Sequence, residues 1–345
     1  MPSPVETKLI GELSIIIVTW NGDKLLSNCL NSLKTVYGEI PEIIVVDNAN
    51  LNSTKQIVMG YSNCKYVSAE SNLGFAGGNN LGLTYCSRDF VLLLNNDTFF
   101  HSDSISPLLN YLGANNHIAV VQGTMKLVRA GDKLDTCGTM LTHWGKLFLR
   151  HYMESVENTK LIPCPVFSAK GAFLLFRKRI LPDLGDVLFY DFFFNNYEET
   201  DFCHRVWLSG HEVHFVPTDP IDHLQGASIS KLERAKVRAQ ELANMYFSMR
   251  VNFGARGLIC ILPRFLFYHF LIWLRNMLFF RWKEAHVYAT AISLLAKNLP
   301  SLALHRRMIQ SQRRISDTAL FKSILFSPGF KYWLSMFRLF IKGNI

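Results

Sequence analysis

The chain lacks the cysteine spacing of a zinc site. None of its seven cysteines forms a C-x-x-C pair, their number is odd, and most lie in apolar strand or helix patterns. These features are typical of a reduced, cytosolic protein rather than a disulfide-linked, secreted one. No long apolar run precedes the first predicted strand, so we expect no signal peptide. We also find no internal repeat and no low-complexity segment.

Acidic residues are almost missing from the last quarter of the chain. Residues 254–345 contain fourteen Lys and Arg against only Glu284 and Asp317, a net charge of +12. The whole chain carries +9, so residues 1–253 sum to −3. Residues 1–253 are long enough for a complete α/β domain, and we predict a second, basic region over residues 254–345.

The basic region is also strongly apolar, which argues against nucleic acid as its partner. Four residues interrupt the apolar run over 257–280: Pro263, Arg264, His269 and Arg275. Because charges are costly in hydrocarbon, we favour amphipathic helices lying on an anionic membrane surface over a membrane-spanning helix. Further helices of this kind are predicted over residues 284–298, 301–314 and 330–342. The alternative is a helical cap packed on the first domain.

Four predicted strands each end in polar residues. They cover residues 14–19, 42–46, 65–67 and 91–94, and a helix is predicted over 23–35. Continuous apolar strands alternating with helices predict an α/β fold with a mainly parallel central sheet, covered on both faces. The carboxyl ends of such strands meet at one edge, where open α/β sheets bind ligands. The sequence therefore predicts a binding cleft at that edge.

The most informative strand end is Asn95-Asn96-Asp97-Thr98. It supplies one carboxylate, Asp97, beside two amides. Such oxygen donors suit a hard cation, Mg²⁺ or Mn²⁺, which keeps waters and completes its shell with substrate phosphates. The alternative is an ordinary turn rich in Asn and Asp.

Six segments together resemble glycosyltransferase family 2, whose members have the GT-A fold. In chain order they are SIIIVTWNG (14–22), IIVVDNAN (43–50), NLGFAGGNN (72–80), LLLNNDT (92–98), NYEETDFCHR (196–205) and HLQGAS (223–228). The last two are similar to signatures of rhamnosyltransferase-like members, and the resemblance covers about residues 13–250. One departure is visible, because Asn95-Asn96 replaces the family's usual acidic pair and leaves Asp97 as the only carboxylate of that motif.

The resemblance implies a site for a nucleotide sugar. It places Asp47 at the nucleotide base, with an Asx-turn or helix cap as the alternative role. The other expected substrate-binding residues are Thr19, Trp20, Asn21, Asn72, Gly74, Asn79, Asn80, Asn96, Gly171 and His223. Gly74 opens a loop whose N–H groups are expected near phosphate or sugar. His223 is assigned to the diphosphate or the metal, although a lone loop histidine often has no such role.

Attack by an acceptor hydroxyl requires a general base. The segment Glu198-Glu199-Thr200-Asp201 supplies three carboxylates at a predicted helix start. Asp201 lies four residues before Arg205, which predicts an intrahelical salt bridge. The resemblance places the base at Glu199, with Glu198 beside it. We expect the helix dipole to keep that carboxylate ionised at neutral pH, although carboxylates are common at helix starts without catalysis.

These observations predict an inverting, metal-dependent glycosyltransferase of cell-surface polysaccharide biosynthesis. It would move a sugar, with rhamnose as one candidate, from a nucleoside diphosphate to a hydroxyl of a lipid-linked glycan. The basic region places this reaction at the cytoplasmic face of the cell membrane. One alternative is transfer to polyprenyl phosphate, which needs no base. Another is a membrane-attached scaffold that binds nucleotide sugars without catalysis.

Overall fold

The main sheet brings the predicted strand ends to one edge. The computed structural model describes residues 9–131, 133–225, 231–330, 332–334 and 338. The four predicted strands are present and parallel: β1 (Leu13–Thr19), β2 (Glu42–Asp47), β3 (Cys64–Ser68) and β4 (Phe90–Asn95). Four helices follow them in turn: α1 (Asp23–Tyr37), α2 (Asn52–Met59), α3 (Gly74–Leu83) and α4 (Ser106–Ala114).

Alternating side chains of the strands bury two separate cores. In β1, Ile15 and Ile17 pack in the core that contains α1 and α4, whereas Ile16 packs in the core that contains α3. This period of two explains why an unbroken apolar strand is needed when both faces of a sheet are covered.

The other half of the sheet is mixed. It contains β6 (Ile118–Gln122), β11 (Cys164–Pro165), β12 (Phe173–Arg177) and β13 (Glu212–Phe215), in the overall order β11-β13-β6-β12-β4-β1-β2-β3. β12 is antiparallel to both β4 and β6. Consequently the residues just before β12 lie at the same edge as the residues just after β4, and Asn95 N donates to Ala172 O at 3.2 Å.

Two small sheets accompany the main sheet, and one of them includes a strand from the last region of the chain. One has the order β5 (Thr98–Phe99), β14 (Ile221–His223), β7 (Met125–Leu127), β8 (Lys133–Leu134), and the other β10 (Leu147–Leu149), β9 (Thr139–Thr142), β15 (Leu325–Phe326). In the first, His223 pairs with Thr98. This pairing places His223 beside the end of β4, although His223 and Thr98 are 125 positions apart in the sequence.

Most of the remaining described residues are helical. After α5 (Glu198–Leu208) the helices are α6 (Lys231–Asn252), α7 (Ala255–Cys260), α8 (Leu262–Leu278), α9 (Trp282–Lys297), α10 (Leu299–Gln312) and α11 (Asp317–Ile324). The helices predicted over 284–298 and 301–314 are confirmed as α9 and α10. Most of the helix predicted over 330–342 lies outside the described residues.

The last helices are tied to the first domain by specific contacts. Arg306 donates to the backbone carbonyls of Arg250 and Phe253, and Arg314 pairs with Asp183 at 2.6 Å. Arg313 pairs with Asp317, whose carboxylate also accepts from two backbone N–H groups of the α6–α7 region. Arg306, Arg313 and Arg314 of the basic region are therefore bound to the protein itself. These contacts favour the alternative, a packed cap, for α10 and α11, and attachment of the region to a membrane stays a prediction.

The helix α8 is different, because much of its apolar surface is uncovered. The combined segment Ala255–Leu278 is, within the described residues, the one helical stretch long and apolar enough to cross a membrane, and 22% of its most apolar window is buried. Phe267 and Phe270 of α8 are about half exposed. The boundary at residue 253 stays a prediction, since residues on both sides of it share one core.

A buried ion pair links α5 to α6. Asp201 Oδ2 accepts from Arg205 Nε at 2.8 Å, which confirms the predicted intrahelical salt bridge, and both side chains are fully buried. Asn252 Nδ2 donates to the other oxygen at 2.7 Å, and Arg205 also reaches the carbonyls of Val187 and Leu188.

We therefore expect Asp201→Asn to lower the free energy of unfolding by about 3 kcal/mol, because it leaves a buried guanidinium without its counter-charge. Denaturant unfolding would measure this loss. The matched control is Glu70→Gln at an exposed position, which should change stability little. Equal stability of the two variants would contradict the structural role of the pair.

Candidate active site

The ends of β1, β2 and β4 lie side by side, as predicted. Thr19 pairs with Asp47 in the sheet, and Asn96 Nδ2 donates to Thr19 Oγ1 at 2.9 Å. A Cβ at Gly22 would displace the Asn96 amide, so glycine in the turn after β1 leaves room for that side chain. Asn21 has φ +52° in that turn, and Trp20 is 52% exposed beside it. Thr19, Trp20, Asn21 and Asn96 are thus brought together at the edge of the sheet.

Asp47 is fully buried and already has partners. Its carboxylate accepts from Ala49 N at 2.9 Å, from Leu51 N at 2.7 Å and from Tyr66 Oη at 3.1 Å. This is the Asx-turn geometry that the sequence left open as an alternative. A contact between Asp47 and a nucleotide base stays a prediction.

The N-terminus of α3 does not offer free N–H groups to a phosphate. Gly74 N donates to Asn72 Oδ1 at 2.9 Å, Phe75 N to Asn195 Oδ1 at 2.8 Å, and Ala76 N to Phe194 O at 3.3 Å. A distant segment occupies two of these three donors, and a contact between the Gly74 loop and phosphate or sugar stays a prediction. Gly74, at φ +68°, instead lets Phe194 approach the backbone closely.

The two asparagines inside α3 also have protein partners. Asn79 is buried and donates to Phe75 O within the helix, whereas Asn80 both donates to and accepts from the backbone of Phe189, at 2.7 and 3.0 Å. A Cβ at Gly78 would lie 2.7 Å from Val18 Cγ1, so this glycine allows α3 to pack closely on β1. These contacts favour structural roles, and sugar binding by Asn72, Asn79 and Asn80 remains only a prediction.

Asp97 and His223 meet at the end of β4. Asp97 Oδ1 lies 3.4 Å from His223 Nε2, while His223 Nδ1 bonds Asp135 Oδ2 at 2.6 Å. Asp135 in turn accepts from Lys170 Nζ at 2.7 and 2.8 Å. The chain Asp97–His223–Asp135–Lys170 alternates in charge. Asp135 and Lys170 were missed at the sequence level because they lie in turn-rich stretches with no motif, and only tertiary contacts reveal them.

The charges in this chain stabilise one another. Burial alone would lower the pKa of His223, but hydrogen bonds to Asp135 and Asp97 outweigh it and raise that pKa. Burial likewise opposes ionisation of Asp135, yet His223 and Lys170 lower its pKa overall. Asp135 is therefore a buried carboxylate held in its ionised form.

The pair Asp97 and His223 fits a divalent cation. Two ligands of an octahedral Mg²⁺ or Mn²⁺ ion at about 2.1 Å lie about 3 Å apart, close to the observed separation of their ligand atoms. Asp135 behind His223 is the usual carboxylate that fixes a ligating imidazole, and Nε2 would have to release the proton that it shares with Asp97 before it could bind the ion. Among the described residues no group of three or more His, Cys, Asp or Glu side chains could hold a metal. Waters and substrate phosphates would have to supply the remaining ligands.

A cavity of about 260 Å³ lies at the other end of the charge chain, and we call it the catalytic pocket. Its walls include Asn95, Lys170, Gly171, Asn196, Glu198 and Glu199. A Cβ at Gly171 would lie 3.0 Å from Phe75 Cζ and 3.7 Å from Glu199 Cβ, so the absence of a side chain here leaves room between Phe75 and Glu199. The pocket thus joins the turn before β12 to the start of α5.

Both glutamates of the pocket have raised pKa values, and the cause is burial. For Glu198 the neighbouring Glu199 adds to the effect, and the pKa lies well above its ordinary value. For Glu199 burial raises the pKa, although its own backbone N–H and Lys170 oppose the rise. The expectation that the helix dipole keeps Glu199 ionised therefore understates desolvation, which is the larger effect here.

The backbone before α5 is strained. Asn196 and Tyr197 both adopt left-handed conformations, with φ +67° and +75°. Asn244 of α6 holds this segment by donating to the carbonyls of Asn195 and Asn196, at 3.1 and 2.6 Å. Such strain is typical of functional sites. It is maintained here by a helix from the last part of the first domain.

The overall architecture is the GT-A fold. In a comparison with solved structures, the chain superposes on GalNAc-T7 crystallised with UDP, GalNAc and Mn²⁺ with a TM-score of 0.56 and 15% identity. The superposition covers 71% of this chain and 48% of that one.

Sequence comparison identifies the family. The family model described as "Glycosyl transferase family 2" matches residues 14–185, and the chain belongs to this family. It is 26% identical over 207 residues to the low-salt glycan biosynthesis hexosyltransferase Agl10 of Haloferax volcanii, covering 58% of this chain and 63% of Agl10. It is also 26% identical over 218 residues to rhamnosyltransferase WbbL of Escherichia coli K12, covering 59% of this chain and 80% of WbbL. The match thus spans less than two thirds of Agl10.

Glu198 lacks a partner for one of its oxygens. Its side chain is 3% exposed, and Oε2 has no hydrogen-bond partner among the described residues. Folding raises the pKa of Glu198 above its ordinary value of 4.5. As the pH rises above 4.5, the unfolded state releases a proton that the folded state still holds, so the stability of the protein falls.

We therefore expect Glu198→Gln to raise the melting temperature near pH 8 more than near pH 5, since the amide removes a charge that is costly only at the higher pH. Thermal unfolding at both values would measure the difference. Glu70→Gln, at an exposed position, should show no such pH dependence. A gain of equal size at both pH values would contradict the buried, unpartnered carboxyl.

Proposed function

We propose that the chain is an inverting glycosyltransferase that moves a sugar from a nucleoside-diphosphate sugar to a hydroxyl group of a glycan. The observation that carries this proposal is the line of alternating charges from Asp97 to Lys170, which ends at the pocket containing Glu199. One end of the line suits the diphosphate of a donor, and the other presents a carboxylate base to an acceptor. A scaffold that binds a nucleotide sugar without catalysis would not need a carboxylate base.

Asp97 and His223 form the donor end. They would hold Mg²⁺ or Mn²⁺, which when bound supplies positive charge against the negative charge that develops on the leaving diphosphate. Thr19, Asn21 and Asn96 line the same edge and supply hydroxyl and amide groups for the nucleotide. His223 is oriented by Asp135, so its ring is fixed before the donor arrives.

Glu199 forms the acceptor end. It lines the catalytic pocket beside Gly171, where an acceptor hydroxyl can approach without a side chain in the way. A raised pKa suits a general base, because a base is most effective when its pKa lies near the working pH. Glu198 lies deeper and is positioned to influence the charge of Glu199 rather than to receive the acceptor's proton.

The sugar and the acceptor are proposed from the relatives and the surface. WbbL is named a rhamnosyltransferase and Agl10 a hexosyltransferase of glycan biosynthesis, so a hexose is favoured and rhamnose is one candidate. The uncovered apolar surface of α8 favours a lipid-linked acceptor in cell-surface polysaccharide synthesis, handled at the cytoplasmic face of a membrane.

The first test removes the metal-binding carboxylate. Asp97→Asn should lower transfer roughly 10²–10³-fold, because the diphosphate loses its electrostatic stabilisation. Calorimetry should also show that Mn²⁺ no longer strengthens UDP or GDP binding. Asp89→Asn is the matched control, since Asp89 is exposed and lies just before the opposite end of β4. Normal turnover and normal metal dependence in Asp97→Asn would contradict the assignment.

The second test concerns the base. Glu199→Gln should lower kcat roughly 10²–10⁴-fold while donor affinity stays nearly unchanged, because the amide cannot accept the acceptor's proton. Single-turnover transfer measured with folded protein separates this effect from stability, and Glu198→Gln should be less affected. A normal rate in Glu199→Gln with a collapsed rate in Glu198→Gln would reverse the two roles. Full activity of both variants would favour a phosphate acceptor, which needs no base.

A further inference from the structure

Two further cavities extend the catalytic pocket along α6. The first, which we call the polar cavity, has a volume of about 410 Å³ and is lined by side chains that include Lys146, Tyr197, Arg238, Glu241, Tyr268 and Glu284. The second, which we call the apolar groove, has a volume of about 580 Å³ between α6, α8 and α9. Both volumes lie in the range of sites for organic ligands.

The three cavities follow one another in space. Tyr197 and Arg238 line the polar cavity, and each is next in sequence to a residue of the catalytic pocket, Glu198 or Val237. The polar cavity and the apolar groove share three lining residues, Leu242, His269 and Tyr288. The base therefore lies at one end of the row and the apolar groove at the other.

The chemistry of the cavities changes in the same order. The polar cavity carries charges of both signs, and the Lys146 ammonium bonds Tyr268 Oη at 2.7 Å. Burial lowers the pKa of Lys146 to about 8. His269 Nε2, at the junction, is buried and has no hydrogen-bond partner among the described residues. The apolar groove is lined by side chains such as Phe265, Leu266, Phe270, Trp273, Ile292 and Leu299.

We propose that the apolar groove binds the hydrocarbon chain of a lipid-linked acceptor, whose head group lies in the polar cavity and whose reactive hydroxyl reaches Glu199. This inference rests on the proposed function for the reaction itself. The occupant is a single prenyl-type chain, because the groove shares lining residues with the polar cavity, and neighbouring residues line the polar cavity and the catalytic pocket. A phospholipid of the bilayer has no reason to follow that path.

The exposed rim of the groove supports the same occupant. Ile292 and Leu299 are 66% and 56% exposed, so the groove is open along its outer side, next to the uncovered face of α8. A chain can therefore enter from a membrane surface while the first domain remains in water. Burying such a chain is favourable by about 0.8 kcal/mol for each CH₂ group.

The test compares two isoleucines with similar exposure. Ile292 lines the apolar groove, whereas Ile259 on α7 is 74% exposed and lines none of the three cavities. Binding is measured with the full chain and a C20 prenyl phosphate that carries a diazirine at the end of its chain, followed by photo-crosslinking and peptide mapping. A C5 prenyl phosphate with the same head group serves as a competitor.

We expect crosslinks to the groove-lining segments of α6, α8 and α9, and at least about tenfold weaker binding in Ile292→Asp. Ile259→Asp should bind the probe normally, and the C5 compound should compete poorly. Equal loss in both variants would mean general membrane contact and would overturn the proposal. So would normal binding in Ile292→Asp, or crosslinks confined to the outer residues Phe267 and Leu271.

A parallel measurement separates this inference from the proposed function. Binding of UDP and GDP with Mn²⁺ is followed in the same proteins and should be unchanged in Ile292→Asp. If nucleotide binding fails in the unaltered chain but the probe is held in the groove, the glycosyltransferase proposal fails and the chain-binding site stands. If nucleotides bind and the probe does not, the chain-binding site fails and the glycosyltransferase proposal stands.

Discussion

The buried carboxylate of Asp135 is the contact on which the candidate site depends. It lies between two cationic groups, His223 and Lys170, which come from different parts of the chain. Removing these charges from water is costly, and only close pairing with good geometry offsets that cost. Because the pairing is satisfied on both sides, the strand that carries His223 and the turn that carries Lys170 are fixed relative to each other. The donor end and the acceptor end of the site are therefore held at a constant separation.

The acceptor end differs, because it contains a buried polar atom without a hydrogen-bond partner and a strained backbone segment. Glu198 has an unpartnered buried oxygen, and Asn196 and Tyr197 hold left-handed backbone conformations. Each of these features lowers stability, and Asn244 holds the strained segment by donating to the carbonyls of Asn195 and Asn196. Poor solvation raises the pKa of a carboxyl group toward neutrality. The raised pKa is useful for a base, but the poor solvation lowers the stability of the fold.

The sequence was sufficient where local pattern determines structure. Apolar runs predicted β1 to β4 within a residue or two, and four-residue spacing predicted the Asp201–Arg205 pair. It was insufficient where partners are distant in the chain. Two of the three donors at the start of α3 are occupied by residues about 120 positions later, and His223 bonds Asp135, 88 positions earlier. Spacing cannot reveal such contacts, so Asp135 and Lys170 were missed and Asn80 was given a ligand-binding role that its backbone contacts do not favour.

The net charge of residues 254–345 is larger than the positive charge that a membrane surface could contact. Arg306, Arg313 and Arg314 contact other groups of the protein. The exposed cations are distributed over α9 and α10 and include Lys283, Lys297 and Arg307. The uncovered apolar face of α8 is continuous, by contrast, and apolar burial is not screened by salt. Membrane attachment would then depend more on α8 than on the basic excess. The two parts of the region would then have different roles, since α10 and α11 pack on the first domain while α8 and α9 would face the lipid.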